Sequence, residues 1–117
     1  MDQLTQKKRV EVEEVVINAV CQHFGLEVET FLTNRLTDSV SAYRRHACYY
    51  LIRRNTLLSF DKIAALFYTT KSTITCGFYK LEGLIYVKDR RIVGDIEHIQ
   101  RLVDNFIKKS KEQSLES

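Results

Sequence analysis

The chain contains no proline and only four glycines among its 117 residues. Without proline nothing interrupts a helix from within, and so few glycines leave little of the special turn chemistry that tight hairpins need. An all-α fold is predicted. No apolar run approaches the roughly 18 residues that cross a bilayer. Met1 to Arg9 is polar, with no apolar signal core behind it. The expectation is a cytoplasmic protein without a membrane partner. Cysteine is scarce too: Cys21, Cys48 and Cys76 are odd in number, far apart and set mostly among apolar neighbours. That excludes a disulfide framework and predicts reduced, mostly buried thiols, with Cys76 half-buried at the border of a basic helix.

The residue groups that enzymes need are equally thin. His23, His46 and His98 fall on three predicted helices with no cysteine at ligand spacing, so no zinc site is expected. Glu13 and Glu14 lie on a solvated helix face with no partner motif, and no glycine-rich phosphate loop is visible. The reading is therefore of a non-enzyme with no cofactor, no metal, no small-molecule substrate and no nucleotide hydrolysis.

What is present is charge, unevenly placed. Residues 1–34 hold three basic and six acidic side chains, residues 35–91 eleven and four, and residues 92–117 four and five. A basic centre between acidic flanks is the footprint of a polyanion-binding face, and the length suits one domain, taken as residues 1–111 with a polar, frayed tail at 112–117.

Apolar spacing divides that domain into helices. Val12, Val15, Val16, Ala19, Val20 and Phe24 form one stripe over Val10–Phe24, which Gly25 is placed to end. Val28–Leu32 reads as one short helix, and Thr33–Ser39 as a loop containing Arg35. Ser39 or Ser41 is a possible cap for the next segment. Val40–Arg54 is a basic amphipathic helix with Val40, Tyr43, Ala47, Tyr50 and Leu51 inward and Arg44, Arg45, Arg53 and Arg54 on other faces. Tyr43, Tyr49 and Tyr50 could stack on bases but suit a core better. Ser59 can cap a two-turn helix carrying Phe60, Ile63, Ala64, Leu66 and Phe67. After Tyr68-Thr69-Thr70 another helix has Ile74, Phe78, Leu81 and Ile85 as core positions, with Thr70 as its cap. Residues 86–93 read as a helix end plus turn. The last helix carries Ile92, Ile96, Ile99, Val103 and Phe106, with Lys108, Lys109 and Lys111 at its end.

A short helix, a tight turn and a second helix with a polar first turn make a helix-turn-helix, over about residues 59–86. No glycine marks the turn. On the second helix Lys71, Ser72, Thr75 and Tyr79 face outward, with Thr73 and Cys76 at the border. Lys71 and the N-terminal amides suit phosphate or a guanine edge, and the hydroxyls of Ser72, Thr73 and Thr75 allow close approach to bases. A helical hairpin with a merely polar exposed face has the same pattern.

Over roughly Val16 to Val103 the sequence resembles the C-terminal, origin-box-binding domain of the bacterial replication initiator DnaA. The likeness rests on Val20-Cys21-Gln22-His23-Phe24-Gly25-Leu26, on Val28–Thr33, on Leu58–Phe67, on Lys71-Ser72-Thr73-Ile74 and on Tyr79-Lys80-Leu81-Glu82. It implies a compact multi-helix, Trp-repressor-like fold with the second helix of the unit in the major groove of double-stranded DNA and a basic loop on the minor-groove side. By position, Ser72 and Thr73 match signature contact residues, Arg35 a basic residue of the loop, and Arg44 an arginine of the following helix. Thr69 and Thr70 replace the signature arginine and aspartate, Lys71 its histidine, and Leu36, Thr37 and Asp38 occupy the basic loop. A winged-helix regulator is the competing resemblance, with Tyr86–Val93 as its hairpin. The functional expectation is sequence-preferring DNA binding by Arg35, Arg44, Arg45, Lys71, Ser72, Thr73 and Thr75, in a regulator or replication accessory. The rival is a protein-interaction module of the same fold, and another protein or a second copy of the chain stays open as partner.

Overall fold

The computed structural model describes residues 11–116, with side chains through Ser110. Among these residues it has six helices and no strand: α1 (Val12–Phe24), α2 (Val28–Thr33), α3 (Ser39–Asn55), α4 (Phe60–Leu66), α5 (Lys71–Tyr86) and α6 (Arg90–Glu116). The expected domain start at residue 1 lies outside the described residues.

Helix α3 is the axis of the core. Six successive residues, Ala47 to Ile52, are buried, so every side of this stretch faces protein. That corrects the amphipathic stripe at Val40, which is exposed, and at Ile52, which joins the core, while Cys48 and Tyr49 are buried as the cysteine and tyrosine readings expected. α1 and α5 pack on α3, and α6 returns along α1. Tyr49 and Tyr50 are core aromatics; Tyr49 meets Phe67 edge-on and Tyr50 stacks on Phe78.

Local chemistry sets the helix ends. Gly25 takes φ +70° after α1, and the Leu26 amide returns to the Cys21 carbonyl at 2.8 Å. α3 is capped by neither predicted serine. Asp38 does so, accepting from the Ser41 amide at 3.0 Å, and those amide and hydroxyl contacts hold its carboxyl below the usual range. Ser59 and Thr70 cap α4 and α5 as expected. Residues 87–89 form a turn in which Lys88 is left-handed, and Asp89 caps α6 through the Ile92 amide. The winged-helix hairpin is thereby ruled out, because Tyr86 ends one helix and Arg90 begins the next.

α6 departs from expectation at its far end. Ile99 and Val103 are fully buried, yet Phe106 is exposed and Ile107 takes the inward position instead. The helix continues through Glu116, past the lysines predicted to end it and through most of the predicted frayed tail; Ser117 lies outside the described residues. Polar contacts lock α6 in register. The Asn55 and Gln100 amides exchange two hydrogen bonds of 2.9 Å. Asp95 accepts from the Tyr43 hydroxyl at 2.6 Å and meets His23 Nε2 at 2.8 Å, while His23 Nδ1 lies 2.7 Å from His98 Nδ1. Burial first, and Asp95 second, push the Tyr43 phenol upward.

Gly77 leaves room on α5 for the His46 side chain of α3. It is buried, and a Cβ placed there would sit 2.5 Å from His46 Cδ2 and 3.0 Å from Cγ. A contact with Cγ cannot be relieved by moving only the tip of the ring. Gly83 on the same helix meets nothing within 4 Å. Gly83→Ala is therefore expected to stabilise the fold by about 0.5 to 1 kcal/mol through helix propensity. Gly77→Ala is expected to destabilise it by about 1 to 3 kcal/mol despite the same propensity gain. Urea unfolding of both variants checks this, and equal effects would refute the close-packing account.

The surroundings of the half-buried His46 ring also bear on its charge. Burial holds its imidazole below the usual histidine range, and the Lys80 and Arg45 charges act in the same direction. Its depressed folded value means that the contribution to stability is full above the unfolded value of about 6.5 and is lost as pH falls. In an NMR titration His46 should still be neutral when a histidine in the urea-unfolded chain is half protonated; titration at or above the unfolded value would contradict the buried neutral ring.

Candidate nucleic-acid interface

α4, the turn and α5 form the helix-turn-helix, and its turn lacks the glycine that would make it easy. Tyr68 takes φ +55° instead, the left-handed region that costs a bulky residue on the order of 1 kcal/mol. Two contacts oppose that cost. The Thr69 amide closes the end of α4 on the Ala64 carbonyl at 3.0 Å, and Arg35 donates to the Tyr68 carbonyl at 2.8 Å from the loop between α2 and α3. Arg35 thus sits beside the turn that leads into α5.

The α5 start is prepared for a ligand at two of its first three positions. The Thr70 hydroxyl accepts from the Thr73 amide at 3.3 Å, while the amides of Lys71 and Ser72 lie before the first helical carbonyl they could reach. Thr73 and Thr70 share a hydroxyl contact of 3.1 Å, and Thr75 donates back to the Lys71 carbonyl at 2.8 Å. Of the three predicted hydroxyls, Ser72 is the one with no internal partner among the described residues.

Lys71, Ser72 and Thr75 line one shallow concavity of about 370 Å³ together with Cys76 and Tyr79. Cys76 is exposed, against the half-buried expectation, because its direction on the helix is close to that of Ser72. Cys21 and Cys48 are buried; burial pushes the Cys21 thiol up to about 11 and that of Cys48 well above its ordinary range.

The three arginines do not gather on that concavity. Arg45 donates to the Leu36 carbonyl at 2.7 Å and keeps its other terminal nitrogen buried without a partner, so it holds the α2–α3 loop. Arg44 lies over the Phe24 ring at 5.2 Å and lines a separate cavity of about 300 Å³ with Phe24, Val40, Tyr43 and Leu84. Among the described residues no lysine or arginine lies within 4 Å of a carboxylate oxygen; the one close contact of that kind is His23 with Asp95.

Sequence spacing missed two residues here, Gly77 and Asp95, and the second role of a third, Arg35, which it had named as a DNA contact. Gly77 seats the helix, Arg35 is a turn anchor, and Asp95 links three helices. The first had a signal, a glycine at a position where the α5 stripe should continue inward; the other two depend on contacts across more than thirty residues.

No curated protein matches the chain closely enough to be named beside it. The family model described as the bacterial dnaA protein helix-turn-helix matches residues 13–80, which run from the first turn of α1 through most of the outward face of α5. With that match covering more than half the chain and the six-helix fold around it, this protein belongs to the DnaA helix-turn-helix family of DNA-binding domains.

Proposed function

We propose that this domain binds double-stranded DNA with sequence preference, placing α5 in the major groove, as a regulator or replication accessory that hydrolyses no nucleotide and works in the cytoplasm. We take residues 1–111 as its single domain. The observation that carries the reading is an exposed, capped, polar first turn of α5 on a basic centre that has no internal carboxylate partners among the described residues. Unpaired cations near a helix N-terminus attract phosphate, and the small side chains there allow the helix to approach base edges. In this reading Lys71 meets phosphate or a guanine edge and Ser72 and Thr75 meet bases. Thr73 shapes the helix start, and Arg44 contacts backbone phosphate. Arg35 and Arg45 hold the loop and turn, with the remaining donors of Arg35 directed at phosphate.

The interaction-module reading is supported by a different surface. Leu84, Tyr86 and Val87 are exposed at the end of α5, and Leu84 lines the Arg44 cavity with Val40, which is also exposed. A second protein or a second copy of the chain would cover these residues without engaging Lys71.

Affinities for a selected duplex and a scrambled one, measured across a salt series, separate the roles. Arg44→Ala should weaken both duplexes alike and flatten the salt slope by roughly one unit. Lys71→Ala and Ser72→Ala should narrow the gap between the duplexes, by about 1 to 3 kcal/mol for a good base contact. Arg35→Ala should also lower the unfolding midpoint, since it frees the Tyr68 carbonyl. If the wild-type protein shows no salt-dependent affinity for either duplex, DNA binding is refuted and the interaction module stands.

A further inference from the structure

The outward face of α5 does not stop at its polar first turn. Ser72, Cys76 and Tyr79 follow one another at steps of four and three residues, so they stand in one line along the helix. With a rise of about 1.5 Å per residue, Lys71 to Tyr79 spans about 12 Å, close to the width of the major groove. The next residues in the line are Gly83, which adds no side chain, and Tyr86, the exposed last residue of the helix.

The second half of this line offers a thiol and an aromatic ring packed on one side. Tyr79 is 56% exposed, yet its ring is braced from behind by Phe78 at 5.2 Å and Phe60 at 6.4 Å, both in edge-on geometry. Its hydroxyl and the Cys76 thiol make no hydrogen bond among the described residues, and the concavity joins both to Ser72 and Lys71 without a carboxylate. An aromatic held in place while facing outward loses little freedom when it binds, which favours contact over mere solvation.

We propose, building on the DNA-binding reading, that Cys76 and Tyr79 are specificity residues whose thiol and ring edge pack against thymine 5-methyl groups in the major groove. The only apolar feature that distinguishes bases in that groove is this methyl, and a small soft thiol beside a fixed ring is a complementary surface for it. The polar first turn then positions the helix and reads hydrogen-bonding edges, while the second and third turns select thymine.

The test uses the full chain and a duplex selected from random sequence. Each thymine of the selected site is replaced in turn by uracil, which removes the methyl and nothing else. At one or two positions affinity should fall about fourfold, the value of one buried methyl. Tyr79→Ala and Cys76→Gly should each erase the thymine-to-uracil difference at one of those positions, with the salt slope unchanged. Tyr79→Phe keeps the ring and should preserve the difference, and circular dichroism confirms that each variant is folded. N-ethylmaleimide adds a direct readout: Cys76 should be modified in the free protein and shielded by the selected duplex, while buried Cys21 and Cys48 stay unmodified in both. Salt-dependent binding that is indifferent to uracil everywhere, or a difference that survives both Tyr79→Ala and Cys76→Gly, overturns this inference alone. No salt-dependent binding to any duplex overturns it together with the reading beneath it.

Discussion

The structure depends on one absence of atoms, the missing side chain at Gly77. α5 lies against α3 with the His46 ring seated over Gly77, where a Cβ would meet it at 2.5 Å. A glycine inside a helix costs about 1 kcal/mol of propensity, so this position is maintained by packing alone. The depth at which α5 is seated fixes the rest of its geometry. Ile74 and Leu81 enter the core on either side of the contact, Phe78 stacks on Tyr50, and the opposite face is turned fully outward. The half-buried ring that fills the space is also held toward its neutral form, by burial first and then by the Lys80 and Arg45 charges.

The direction in which α5 leaves the turn has a separate cause. Tyr68 stands in a backbone conformation suited to glycine, and the guanidinium of Arg35 holds its carbonyl. A residue expected to serve only as a phosphate contact is therefore part of the scaffold as well. Arg45 repeats the arrangement one element along, since its hydrogen bond to the Leu36 carbonyl supports the loop from which Arg35 reaches. Two cations that a charge count assigns to a ligand are thus engaged partly with the backbone, at the Tyr68 and Leu36 carbonyls.

Those cases show what the sequence made legible and what it withheld. Helix existence and order follow from periodicity, and so do the Ser59 and Thr70 caps, because each depends on residues within one or two turns of one another. The turn at residues 87–89 was legible for the same reason, a polar cluster without a hairpin glycine. The inward face of α3 was not, because a helix buried on all sides has no stripe to reveal its partners: Val40 matched the pattern and is exposed, whereas Cys48 and Ile52 broke it and are core. Cys76 was placed at a border by spacing alone and proves exposed, since its direction on α5 is close to that of the exposed Ser72. The His23, His98, Asp95 and Tyr43 contacts join residues up to 75 positions apart, and no local rule predicts which distant side chain a histidine meets.

Charge bears on this division between scaffold and ligand. In many small domains surface lysines and arginines are largely offset by neighbouring carboxylates, and each such pair contributes little to stability. Here the basic centre is bound inward by carbonyls and aromatic rings: Arg35, Arg45 and Arg53 donate to backbone oxygens, and Arg44, Arg53 and Arg54 lie over Phe24, Phe60 and Tyr50. Neutral partners fix the position of a cation without cancelling its field. The arginines are held in place and their positive potential is preserved, a combination that wastes electrostatic energy in an isolated domain because like charges repel across the surface. That repulsion is relieved wherever an anion arrives, at each held cation separately, because the arginines are fixed by different elements and do not share one concavity.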